Sequence, residues 1–203
     1  MTIKGKSGFK LGITGGIGSG KTSVCRVFTV LRIPVFSADR EASHIMENES
    51  VIQDKLNSMA GKDLYARGCL DRLALAEIIF NDKTILEKVN ALVHPFVFDN
   101  FRKWSVEQTS PYVIMEAAIL FESGASEYVD KIATVVAPAE QRVERVIRRN
   151  KLTKKQVMER MRNQMSDETR ISLSDYIIYN SENDMIIPAI LKIHQEILSF
   201  INL

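Results

Sequence analysis

Four glycines fall within the nine residues TGGIGSGKT at positions 14–22. They lie between an apolar stretch, Phe9–Thr14, and a segment, Lys21–Leu31, in which Val24, Phe28 and Leu31 recur at helical spacing. A strand that turns through glycines directly into a helix belongs to a parallel α/β architecture. Gly15, Gly20, Lys21 and Thr22 satisfy the pattern GxxxxGK[ST]. Gly15, Gly16, Gly18 and Gly20 let the backbone adopt positive φ, so that loop N–H groups, including that of Ser19, can close on phosphate oxygens with no side chain in the way. The helix start adds its positive dipole end. Lys21 is expected to reach the β- and γ-phosphates of ATP. The Thr22 hydroxyl is expected to ligate Mg²⁺, with Ser23 beside it in the nucleotide-binding turn.

The rest of the chain alternates strands and helices. Ile33–Phe36, Tyr112–Met115, Lys131–Val136 and Asp175–Tyr179 read as further short apolar strands, giving five with the first. Their near-continuous apolar character predicts a parallel sheet covered on both faces. Between about Arg40 and Gln108 the pattern is helical, with Leu73, Leu75, Ile78, Ile79, Ile85, Leu86, Val89, Leu92 and Val93 supplying an apolar face. Pro138 opens a basic helical segment that stays charged to Gln164 and shows no wide apolar face. A closing amphipathic helix is predicted over Pro188–Ile201. A length of 203 residues suits one such α/β unit with inserted subdomains.

Composition narrows the class further. With 27 Lys and Arg against 25 Asp and Glu, no global charge favours a nucleic-acid or membrane partner. No apolar run reaches the roughly 18 residues of a membrane span, and MTIKGKSGFK lacks the apolar stretch of a signal peptide. Cys25 and Cys69 make neither a disulfide framework nor a metal-ligand spacing. A cytoplasmic protein with reduced thiols is expected. Asn150-Lys151-Leu152-Thr153 approximates the guanine-reading NKxD, but Thr153 stands where the base-pairing aspartate belongs. No Asp is followed by Gly three positions later, so a GTPase switch is excluded.

Several side chains are candidates for the chemistry. Asp39 follows the second predicted strand, where a carboxylate can orient or deprotonate an acceptor hydroxyl, hold a water on Mg²⁺, or cap a helix. Glu116 ends the third strand, where it can reach substrate or hold Mg²⁺ through water. Glu122 reads as a loop salt bridge or a weaker site candidate. Arg142, Arg145 and Arg149 fall on one helical face, which is either a phosphate clamp or a solvated stripe. His94 is a packed histidine or an acceptor contact, and Arg72 an acceptor contact or a surface ion pair.

TGGIGSGKT, SAD at 37–39, LVHP at 92–95, EAAILFE at 116–122, the arginine helix, Asn163-Gln164 and SDYIIYN at 174–180 together resemble dephospho-coenzyme A kinase, in order along nearly the whole chain. The family commonly carries Asp where this chain has Ser37, and Pro-Leu-Leu where it has Ala118-Ile119-Leu120. The resemblance implies a three-layer α/β P-loop kinase core with a five-stranded parallel sheet, a helical substrate-binding insertion and a helical lid. It sets the core at about 8–39, 110–137 and 167–203, the insertion at about 40–109 and the lid at about 138–166, within a single domain over 1–203. It also implies ATP-dependent phosphorylation of the ribose 3′-hydroxyl of dephospho-coenzyme A, with Mg²⁺. Asp39, Arg72, His94 and Glu116 would lie at the acceptor, Thr22 and Asp39 at the metal, and Asn180 with Arg142 at the nucleotide. Lys21, Asp39, Arg145 and Arg149 would carry catalysis. Oligomeric state is left open.

Overall fold

A computed structural model of the protein describes residues 8–150 and 152–201, apart from the side chains at 80, 81, 83 and 150. Residues 1–7, which bear on the signal-peptide reading, lie outside the described residues, as do Lys151 and the last two residues of the expected core.

In chain order the elements are β1 (Phe9–Thr14), α1 (Lys21–Val30), β2 (Val35–Ser37), α2 (Ala38–Asn48), α3 (Ser50–Ala60), α4 (Arg72–Asn81), α5 (Lys83–Glu107), β3 (Tyr112–Glu116), β4 (Lys131–Val136), α6 (Ala139–Asn150), α7 (Lys154–Arg162), α8 (Asp167–Ser172), β5 (Tyr176–Tyr179) and α9 (Ile186–Ile201). The chain divides into two compact units. One runs up to Ser37 and resumes at Trp104, and the other is Ala38–Lys103.

The first unit holds a five-stranded sheet in the order β2-β3-β1-β4-β5, with every neighbouring pair parallel. Leu11 and Ile13 of β1, Tyr112 and Ile114 of β3, and Ala133 and Val135 of β4 point to one face. There Val24 and Phe28 of α1 and Ile190, Ile193 and Ile197 of α9 close over them. Phe28 is fully buried, which is worth on the order of 2–3 kcal/mol. On the other face Leu120 and Val129 close over β1 at Gly12, and α8 packs against β4. Burial on both faces is why these strands read as continuous apolar runs rather than alternating ones.

Strand β2 starts at Val35, two residues later than the pattern predicts. The turn that ends α1 consumes those residues: Arg32 sits in the left-handed region at φ 61°, and the Ile33 N–H returns to the Phe28 carbonyl at 3.0 Å. Helix α9 begins two residues before Pro188, which is tolerated in a first turn because its missing N–H would have no helical partner there. Helix α8 has no counterpart among the elements expected from the sequence. Its six residues are capped by Ser166, whose hydroxyl accepts from the Thr169 N–H. The basic segment, expected to show no wide apolar face, buries a narrow one. Val143, Val146 and Val157 are buried together, and Ile17, Ile147, Leu152, Met158 and Met161 pack around them.

The second unit is helical. Ile45, Ile52, Leu56, Leu64, Leu70, Leu75, Val89, Val93, Val97 and Phe101 form its buried side chains. Polar ties hold its turns: Asn100 donates to Glu41 at 2.7 Å, the Tyr65 hydroxyl donates to the Met46 carbonyl at 2.6 Å, and Asp71 caps α4 through the Ala74 N–H. Its limits differ from the expected 40–109. Strand β2 ends at Ser37, so Asp39 stands in the first turn of α2. At the far end the last turn of α5 belongs with the sheet, where Trp104 packs on Phe36 with ring centroids 5.4 Å apart.

Candidate active site

The glycine loop connects β1 to α1 as its pattern requires. Gly20 is the N-cap residue of α1 and sits at φ 96°, a conformation side chains rarely adopt, and a Cβ there would collide with the Asn180 amide. Gly18 also takes positive φ, at 79°, but the room it leaves is used differently from the sequence expectation. A Cβ on Gly18 would come within 2.5 Å of the Arg142 carbonyl oxygen, so this glycine admits the backbone of α6 rather than clearing a path for phosphate. The Ser19 N–H turns back to the Gly16 carbonyl at 3.1 Å, and the Ser23 and Val24 N–H groups both reach the Gly20 carbonyl. Thr22 and Ser23 are exposed at the start of the helix. Lys21 is buried at 8 % exposure, with its ammonium donating to the Gly15 carbonyl at 2.7 Å.

Groups from the sheet's carboxyl edge surround the loop. Asn180, just past β5, uses its backbone N–H on the Val136 carbonyl at 2.8 Å and its side-chain amide on the Ser19 carbonyl at 2.7 Å. Arg145 donates to the Asn180 carbonyl at 3.0 Å and to Gln141 at 3.2 Å. Its Nη1 is buried without a hydrogen-bond partner, as are the hydroxyls of Ser19 and Thr14. Buried donors of this kind cost free energy unless a ligand satisfies them.

Glu116 ends β3 directly beside Ser37 in the parallel register, and the Ser37 hydroxyl donates to its carboxylate at 3.1 Å. Beneath lies the Cys25 thiol, pushed up to about 12 by burial and by the charge of Glu116, with Lys21 opposing. Lys21 and Glu116 thus act on the same buried spot at the end of the sheet.

The three arginines expected on one face of α6 occupy three environments. Arg142 is 4 % exposed, and its guanidinium is spent on the Ile17 carbonyl at 2.9 Å and on Asp167 at 2.6 Å. Burial lowers its proton affinity while Asp167 opposes that shift. Arg145 is half-buried against the loop, and Arg149 is exposed. Sequence reasoning did not pick out Asp167 or Arg170. Arg170 is fully buried, yet it bonds Asp167 at 3.1 Å and Glu122 at 3.4 Å. Nothing in a charged hexapeptide signals that its arginine lies inside. Glu122 makes the salt bridge weighed as its alternative role.

The remaining candidates lie in the helical unit. Asp39 is exposed in the first turn of α2, where its carbonyl accepts from the Ser43 hydroxyl at 3.0 Å. Arg72 pairs with Glu47 at 3.4 Å and stays 63 % exposed. His94 lies beside Phe98 with ring centroids 5.9 Å apart and the rings tilted by 40°, and burial lowers its proton affinity.

A Mg²⁺ ion fits this donor set in one particular way. No group of three His, Cys, Asp or Glu is gathered among the described residues. The loop end offers the exposed Thr22 hydroxyl and, at the strand edge, the Glu116 carboxylate. That supply suits an ion held mainly by phosphates and water, the usual manner for Mg²⁺.

The chain matches the family model described as dephospho-CoA kinase (CoaE) over residues 9–185. It is 40 % identical over 185 residues to the dephospho-CoA kinase of Bacteroides fragilis, covering 91 % of this chain and 90 % of that protein. Among solved structures, a Thermus thermophilus protein superposes with a TM-score of 0.82 at 30 % identity, covering 96 % of this chain and 98 % of the other. The dephospho-CoA kinase of Campylobacter jejuni superposes at 0.68 with 25 % identity, covering 94 % and 98 %. With the glycine loop, the parallel sheet and these matches agreeing along nearly its whole length, the chain belongs to the dephospho-CoA kinase family.

Proposed function

We propose that this kinase transfers the γ-phosphoryl group of MgATP to the ribose 3′-hydroxyl of dephospho-coenzyme A, giving coenzyme A and ADP, with the glycine loop holding the nucleotide. The observation that carries this reading is the set of cationic and hydroxyl donors at the loop: the buried Lys21 ammonium, and the Arg145 Nη1 and Ser19 hydroxyl without partners. An anion with several oxygens answers all three.

In this reading Lys21 gives up the Gly15 carbonyl for the β- and γ-phosphates. The loop amides of Gly15, Gly16, Gly18, Ser19 and Gly20 and the first turn of α1, with Thr22 and Ser23, hold the rest. Thr22 would ligate Mg²⁺ directly, and Glu116 and Asp39 would reach it through water or meet the acceptor. Bound there, Mg²⁺ would neutralise charge across the phosphates. Arg145 and Arg149 stabilise charge on the transferring group. Asp39 orients the acceptor hydroxyl more than it deprotonates it, because a loose transition state asks little of a base early on. Arg72 and His94 hold the acceptor. Arg142 and Asn180 support the nucleotide through the loop backbone that they already bind. Residues 138–166 serve as a lid that excludes water. Both cysteines are free thiols, in keeping with a cytoplasmic setting.

The test is ADP release with MgATP and a panel of acceptors: dephospho-coenzyme A, adenosine and the nucleoside monophosphates, with product mass checked for one added phosphate. Stimulation by dephospho-coenzyme A, with coenzyme A as product, is the expected result. Stimulation by a nucleotide alone would replace the acceptor, and turnover indifferent to every acceptor would sink the transferase reading.

A further inference from the structure

Ile17 is the one residue of TGGIGSGKT with a large apolar side chain, and it is held at three points. Its N–H donates to Gln164 Oε1 at 2.8 Å. Its carbonyl accepts from Arg142 Nε at 2.9 Å. Its side chain packs into the cluster of Val143, Val146 and Val157 contributed by α6 and α7. An isoleucine at the tip of a phosphate loop would otherwise be an exposed apolar group, and its N–H would be one of the amides pointing at ligand. Here the tip is instead fastened to the basic segment.

The fastening has a second layer. Arg142 Nη1 meets Asp167 Oδ2 at 2.6 Å, and Asp167 Oδ1 accepts from Arg170 at 3.1 Å. Arg170 then reaches Glu122 Oε1 at 3.4 Å, and the same oxygen accepts from the Met165 N–H at 3.0 Å. Side chains of Arg142 and Arg170 are 5 % and 1 % exposed, so Asp167 separates two buried like charges. Arg142 also covers the glycines on either side of Ile17. Its guanidinium fills the space over Gly16 and its backbone lies against Gly18, and a Cβ on either glycine would collide with it.

We propose that Gln164, Arg142 and Asp167 are positioning residues for nucleotide binding: they fix Ile17, and through it the curvature of residues 15–20, without touching the phosphates. The Ile17 N–H is therefore not a phosphate ligand. Through these contacts the position of α6 and Gln164 sets where the phosphate-binding amides lie. This rests on the reading that the glycine loop binds ATP.

The test is steady-state kinetics with both substrates, paired with calorimetric titration of a non-hydrolysable ATP analogue, on Gln164→Leu, Arg142→Met, Asp167→Asn and the double variant Arg142→Met with Asp167→Asn. Gln164 is uncharged and half-buried, so its replacement leaves no charge stranded and keeps the experiment informative where Asp167→Asn fails to fold. Misplacement of the loop by a fraction of an ångström should raise KM for ATP and weaken the analogue on the order of tenfold or more in Gln164→Leu, with KM for dephospho-coenzyme A unchanged. The double variant should bind the analogue no more weakly than the worse single variant, since both act through Ile17. A folded Gln164→Leu with wild-type affinity for the analogue would overturn the proposal. A loss shared equally by both substrates would do the same. Failure of the wild-type protein to bind the analogue would instead overturn the reading of the loop.

Discussion

Ser37 occupies a position where the family commonly has aspartate, and the structure gives its hydroxyl a definite task. It donates to Glu116 across a parallel register that sets the two residues side by side. Ser37→Ala should cost about 1 kcal/mol of stability, the usual worth of such a bond. Ser37→Asp should cost more in the absence of Mg²⁺, because two carboxylates would then face each other and one would bind a proton more readily. A raised carboxylate pKa in the folded state means stability that is present at low pH and lost as pH rises through the shifted value. Thermal melts of Ser37→Asp should therefore improve on mild acidification, and on adding Mg²⁺ with nucleotide. A variant whose melting temperature ignored both would show that Ser37 and Glu116 are not close neighbours in solution. At the same scale, Cys25 lies buried with its thiol pushed up to about 12, while Cys69 is exposed. Iodoacetamide near neutral pH should modify Cys69 and spare Cys25 until the chain unfolds. A mass shift of two alkyl groups on native protein would contradict the packing under the loop.

Elements were legible where one local signal dominated. Glycines between an apolar strand and an apolar helix locate β1, the loop and α1, and continuous apolar runs locate β3 and β4. Elements built by partners distant in sequence were not. The apolar face of α6 is narrow in its own sequence, and Ile17 completes it from more than a hundred residues away. Nothing in the sequence singles out Asp167 or Arg170, and only the fold shows Arg170 enclosed. The loop's own residues could be read from TGGIGSGKT, whereas the roles of Gln164 and Asn180 depend on which backbone groups they meet. Gly18 falls between the two cases: its positive φ was legible, and the helix that presses on it was not. Helix α5 supplies a pH test. Burial lowers the proton affinity of His94 in the folded state, so the unfolded chain takes up a proton first. The sign follows: stability is present above the ordinary histidine range and lost as pH falls through it toward the depressed value. Melting temperature should decline between about pH 7.5 and about pH 5, and His94→Gln should flatten part of that decline. An identical slope in the variant would mean that His94 titrates as an exposed residue.

At the scale of the whole molecule, two units carry two sets of candidate ligands. The nucleotide groups Lys21, Thr22 and Arg145 lie in the unit of the sheet, while Asp39, Arg72 and His94 lie in Ala38–Lys103. Linkage turns this division into a measurement. A ligand that binds only the native state stabilises it by about 2.7 kcal/mol at a hundredfold excess over its Kd, which for a chain of this size raises the melting temperature by roughly 5 to 10 °C. MgATP and dephospho-coenzyme A should each produce such a shift in the wild-type protein. Lys21→Met removes the ammonium that would meet the phosphates and keeps the length of the side chain. It should abolish most of the shift from MgATP and leave that from dephospho-coenzyme A in place. Arg72→Ala disturbs only an exposed ion pair with Glu47, which is worth little to folding. It should spare the MgATP shift and reduce the acceptor's. Crossed results, with Arg72→Ala losing the nucleotide shift or Lys21→Met losing the acceptor shift alone, would mean that the two units do not divide the substrates in this way. Loss of both shifts in Lys21→Met would mean instead that acceptor binding waits on the nucleotide, and the same melts repeated with ADP present would report that order directly.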